Sequence, residues 1–129
     1  MANPRVRCAQ GNLTIAQVNA ASGAGTVIVP KSGGRTITVV DGWLRSLGAD
    51  PGGCTAFIVT DTASSPVTAL SVTRATLNSN VVARAGITNF TATSMGTALT
   101  GGEGLQIGRT VGAVTTSDSL DYCIYYTVT

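Results

Sequence analysis

Residues 121–129 read DYCIYYTVT, and their alternation sets the fold class. Tyr122, Ile124, Tyr126 and Val128 recur at the period-two spacing of a β-strand, while Cys123 and Tyr125 fall on the opposite face with Thr127 and Thr129. Both faces carry apolar area, and all three tyrosines of the chain are spent here. A small protein has one core to offer such a strand. The second face needs another cover, either a neighbouring molecule set against Tyr125 or a loop of the same chain, and the residues leave both open.

Upstream, the same period recurs in short runs separated by turn residues. PRVRCA (4–9) reads as an extended arm, with Val6 and Cys8 on one side and Arg5 and Arg7 on the other, and residues 1–11 are expected to form an N-terminal arm or edge strand. LTIAQVNA (13–20) is ambiguous between a short helix capped by Asn12 and a strand. TVIVP (26–30), CTAFIVTD (54–61), VTALSVT (67–73), ITNFTAT (87–93) and LQIG (105–108) read as strands, set off by SGAG, KSGG, DPGG, TLNSN and TGGEG. In RTITVVDGWLRSLG (35–48), Asp41-Gly42 interrupts the alternation, which predicts a bulge that turns Trp43 and Leu44 to a different surface. About eight short strands at this spacing predict an all-β fold, an antiparallel β-sandwich or barrel, in one domain over 1–129.

Composition narrows the function. Charged residues make up 11% of the chain against the roughly 25% usual for a soluble domain, so charge repulsion contributes little to keeping molecules apart. Seven arginines and one lysine against six acids give a net charge of +2, with no like-charge run. Arg5 and Arg7 alone approach a basic cluster and read as a solvated edge, so nucleic acid is not expected as a partner. No segment has the length of a membrane span, and MANPRVRCAQG lacks the apolar run of a signal peptide, so no membrane partner is expected and synthesis in a cytoplasm is.

Reactive chemistry finds little support. The chain has no histidine, which removes the commonest general base and metal ligand. Lys31-Ser32 point apart as neighbours, and Asp50, Glu103 and Asp118 sit in turn-like stretches where carboxylates bond backbone. GGEG (101–104) precedes a strand pattern, so it reads as a hairpin turn and not a phosphate loop. Cys8, Cys54 and Cys123 are widely spaced and odd in number, which predicts buried free thiols and neither a disulfide framework nor a metal site. The expectation is a non-enzyme without cofactors.

The order of GRTITVVDGWLRSLG, CTAFIVTDT, VVARAGITNFTATSMGTALTGGEGLQIG and SLDYCIYYTVT resembles that of small jelly-roll capsid decoration, or cement, proteins of tailed bacteriophages. The resemblance runs from about Leu13 to the end and rests on strand order and turn phrases such as TALTGGEGLQI. It implies a jelly-roll-like sandwich that sits on the exterior of a phage head as a homo-oligomer, dimer or trimer, and bridges copies of the major capsid protein. It carries no catalytic residues. On this reading Asn3, Pro4, Arg5, Val6 and Arg7 are the capsid-contact candidates, by strand addition, and Trp43 and Tyr125 the oligomer-interface candidates. For Trp43 a place in the core is the plainer reading. Two other roles remain open: a phage tail, collar or fibre module, and a β-sandwich carbohydrate-binding module using Trp43 and Phe90.

Overall fold

The computed structural model describes residues 5–19, 25–31, 33–84, 90–92 and 95–129. They form two antiparallel sheets packed face to face. In chain order the strands are β1 (Arg7–Thr14), β2 (Thr26–Val29), β3 (Ile37–Leu47), β4 (Ala56–Asp61), β5 (Thr68–Thr73), β6 (Ala83–Arg84), β7 (Phe90–Ala92), β8 (Leu105–Thr110) and β9 (Ser119–Val128), with a four-residue helix α1 (Ile15–Val18) after β1. One sheet runs β1-β9-β3-β6 and the other β2-β8-β4-β5-β7. The chain crosses between the sheets as it does in a jelly roll, eight strands making the two sheets and the short β7 adding an edge beside β5. The all-β sandwich expected from the sequence is the observed fold.

The described part of the 13–20 segment, residues 13–19, takes up both of its alternatives in succession. Leu13 is buried as the penultimate residue of β1, and the chain then turns into α1. The cap is Thr14 and not Asn12: its hydroxyl accepts the Gln17 N–H at 3.1 Å while the Gln17 side chain accepts the Thr14 N–H at 2.9 Å. Asn12 instead points out of β1 and donates to Asp121 and Ser119.

Core residues alternate as period two requires. Val39, Leu44, Leu120 and Ile124 from the four-stranded sheet meet Phe57, Val59, Leu70, Val72, Leu105 and Ile107 from the other, each 1% exposed or less. Tyr122, Tyr126 and Val128 flank that core from the same face of β9 as Ile124. Tyr122 stands opposite Gly11 of β1, where a Cβ would come 2.9 Å from its hydroxyl, so the glycine leaves room for the ring.

The bulge in β3 decides which face Trp43 takes. The register with β9 shifts between Val39, opposite Tyr126, and Asp41, opposite Tyr125. Ile37 and Val39 point inward before the shift; Gly42, Leu44 and Ser46 point inward after it. Strict alternation from Val39 would have sent Asp41 and Trp43 into the core. The extra residue, Val40, sends them out. Gly42 then faces inward, where an added Cβ would meet Leu70 Cδ1 of the far sheet at 2.9 Å and Ile124 Cδ1 of the neighbouring strand β9 at 3.0 Å.

Two further sequence expectations change. The GGEG segment does turn, but it forms no hairpin: β8, which follows, pairs with β2 and β4 and not with β7. Of the cysteines, Cys54 and Cys123 are buried as expected, whereas Cys8 is exposed. Residues 85–89, including most of the ITNF stretch, lie outside the described residues.

Candidate interaction surface

The outward face of the four-stranded sheet collects side chains from three long strands. β1 contributes Cys8, Gln10 and Asn12; β9 contributes Asp121, Cys123 and Tyr125; β3 contributes Asp41, Trp43 and Arg45. Trp43 is opposite Cys123 on one side and Arg84 of β6 on the other. Because Asp41 is opposite Tyr125, Trp43 and Tyr125 are diagonal neighbours. The two residues expected at an oligomer interface are thereby brought onto one surface, both half-buried. Trp43 is not a core residue; the bulge at Val40 excludes it.

Charged groups on this face are matched internally. Arg45 Nη2 and Nε donate to Asp121 Oδ2 at 2.6 and 3.2 Å, and Asn12 Nδ2 donates to Asp121 Oδ1 at 2.8 Å. The bonds from Arg45, then Asn12, hold the Asp121 carboxyl below the ordinary aspartate range. The Arg45 guanidinium also lies 5.9 Å from the centre of the Trp43 ring, within cation–π range. Arg84 and Asp41 approach to 3.9 Å at the far margin, an exposed pair of small energetic weight. Sequence reading missed the Asn12–Asp121–Arg45 set, because it joins residues 12, 45 and 121 through strand pairing and no local motif announces it.

Beside Tyr125 the Sγ atoms of Cys8 and Cys123 are 2.7 Å apart. Desolvation, then the hydrogen bond and charge of Cys123, push the Cys8 thiol up to about 11. Interaction with Cys123 likewise raises the Tyr125 hydroxyl above its usual value. Nothing in the sequence signals this pair: alternation groups Cys8 with Val6, its thiol is expected to be buried, and it is the pairing of β1 with β9 that sets it beside Cys123.

The candidates at the N-terminus are less concentrated. Asn3 and Pro4 lie outside the described residues. Arg5 and Val6 precede β1 and are exposed, Val6 at 61%. Arg7 opens β1 opposite Tyr126, and β1 is an edge strand bonded to β9 alone among the described strands. Among the described residues of the expected arm, Arg5 and Val6 precede the strand and residues 7–11 lie within edge strand β1. Arg7 also lines a cleft of about 260 Å³ at the margin of the sandwich, with Lys31, Arg35, Glu103 and Tyr126. Lys31 is 3.1 Å from Glu103, whose carboxylate also accepts the Thr62 hydroxyl at 2.6 Å; Thr62 first, then Lys31, lowers the Glu103 pKa.

Among the described residues, no helix is long and apolar enough to cross a membrane, and no three Cys, Asp or Glu side chains form a metal-ion cluster. What the outward sheet face offers chemically is contact area with two half-buried aromatic side chains and pre-matched charge. Comparison of the chain with protein-family models, with curated proteins and with solved structures finds no match.

Proposed function

We propose that the protein is a structural virion component, a capsid decoration or cement protein that binds the outside of a tailed-phage head as a homo-oligomer and stabilises the shell by contact alone. The observation that carries this reading is the outward face of the four-stranded sheet, where Trp43 and Tyr125 sit side by side, half-exposed, among charges already paired. Tryptophan, tyrosine and arginine are the residue types that anchor interfaces. Because Asp121 is already satisfied by Arg45 and Asn12, covering this face strips few unmatched charges of water. A near-neutral face suits a second copy of the same chain, which carries the same small charge.

The second contact is assigned to the start of β1. Its outer edge is unpaired among the described strands and is preceded by Arg5 and Val6, an arrangement suited to strand addition by the major capsid protein. Binding only the assembled shell stabilises it by mass action, and an oligomer gripping several subunits adds avidity.

Sedimentation with purified expanded phage heads tests the reading. Intact protein is expected in the pellet at saturable stoichiometry, and a chain lacking residues 1–8 is expected to bind at least tenfold more weakly. An intact protein left wholly in the supernatant overturns the decoration role; equal binding by both chains overturns the assignment of the arm. Binding to tails and not to heads transfers the protein to the tail.

A further inference from the structure

We infer that Cys8 and Cys123 are a thiol modification site, at which reaction with a low-molecular-weight disulfide closes a reversible cross-link between the first and last strands. Three observations carry this. The two sulfurs are already 2.7 Å apart, on diagonal positions of adjacent strands: Cys8 is opposite Tyr125, and Cys123 is opposite Gln10 two positions earlier on β9. With a disulfide bond length of about 2.05 Å, small side-chain rotations close the gap without a shift of register. Access is asymmetric, since Cys8 is exposed while Cys123 is 2% exposed. The third thiol cannot compete, because Cys54 is 3% exposed in the core, just ahead of β4 in the opposite sheet.

Asymmetric access orders the chemistry. The Cys8 thiolate attacks one sulfur of the small disulfide, forming a mixed disulfide and expelling one thiolate, which takes up a proton. Cys123, having lost its proton, attacks the Cys8 sulfur and expels the second small thiol. Overall two S–H bonds of the protein and one S–S bond of the reagent are exchanged for one S–S bond and two S–H bonds, and the two electrons lost by the cysteines reduce the reagent. Thiolate is the attacking species, and the Cys8 thiol lies well above neutrality, so the rate should climb roughly tenfold per pH unit from 7 to 9.

The cross-link would tie down β1, which is held on one side only among the described strands, by closing a loop that takes in nearly the whole chain. In a reducing cytoplasm the pair stays as thiols. In an oxidising medium it closes wherever this face is not yet covered by a second copy.

The test treats the reduced full-length protein with oxidised glutathione at pH 8. The intact mass should fall by about 2 Da. The thiols titratable after denaturation should fall from the three cysteines of the free form to one, and proteolytic mapping should join the Cys8 and Cys123 peptides. The melting temperature should rise by roughly 5–15 °C and return on reduction with dithiothreitol. Cys8→Ser, an exposed substitution, should fold normally and form no internal link. Three thiols still titratable, glutathione retained on Cys8 as the end product, or a link between Cys8 residues of two chains would overturn the inference.

Discussion

Asp61 is wholly buried at the end of β4, and the surrounding backbone keeps it charged. Its Oδ1 accepts the N–H groups of Ala63 and Val67 at 3.2 and 3.0 Å, and its Oδ2 accepts the Thr100 N–H at 3.2 Å. Burial alone would raise the pKa; the bonds from Thr100, Val67 and Ala63 together outweigh it and leave the carboxyl below the ordinary aspartate value. One side chain thus fastens the turn after β4 and the segment before β8. Asp61→Asn preserves shape but aims an amide N–H₂ at backbone donors. It should cost about 2–3 kcal/mol, read as a lower urea midpoint at pH 7 with an unchanged m-value. An unchanged midpoint would mean these segments do not depend on the carboxylate. On the proposed reading Trp43 and Tyr125 belong to the opposite category, residues expected to matter for contact with a second copy more than for folding. Tyr125→Ala should weaken self-association at least tenfold by light scattering while moving the melting temperature little; a stability loss with association intact would return Tyr125 to a purely internal role.

At the scale of elements, α1 is a single turn and too short to persist on propensity alone. The reciprocal Thr14–Gln17 bonds and the burial of Val18 hold it. Thr14→Ala removes the hydroxyl acceptor and should destabilise the fold by about 1 kcal/mol, measurable as a small drop in urea midpoint, whereas Asn12→Ala should leave α1 intact. The sequence made Asn12 the cap because it precedes an apolar run; the strand continued two residues further because Leu13 had a core to enter. β3 teaches a related lesson. Asp41-Gly42 announced an irregularity, but the shift falls at Val40, one residue earlier. A glycine marks where alternation weakens, while the position of the extra residue is fixed by the need to place Val39 and Leu44 in the same core on either side of it.

For the molecule as a whole, acid is expected to weaken the fold through two buried or paired carboxylates. Asp61 and Asp121 have folded pKa values depressed below their unfolded ones, so their stabilisation is fully present above about pH 4 and is lost as pH falls through the folded values. The melting temperature should be nearly level from pH 7 to 5 and fall steeply below 4. A level profile down to pH 2.5 would show that neither carboxylate is coupled to folding. At the alkaline end the raised Cys8 thiol acts in the other sense, contributing below its ordinary value of 9.0 and losing that contribution as pH rises through about 11.

Period-two alternation, glycine-rich turns and the scarcity of charge are local or compositional properties, and by themselves they determined an all-β antiparallel fold, sandwich or barrel, with Tyr122, Ile124 and Tyr126 sharing one face of the last strand. The partner of each strand was not determined in this way. Residues 8 and 123, or 12, 45 and 121, meet only because burying both sheets at once selects one set of strand neighbours, and that selection is made by the whole chain. The outward placement of Trp43 depended on one bulge residue, since adding a single residue to a strand exchanges its faces. Tertiary structure therefore decided the surface, because a surface is what remains after non-local pairing has chosen which side of each strand is buried.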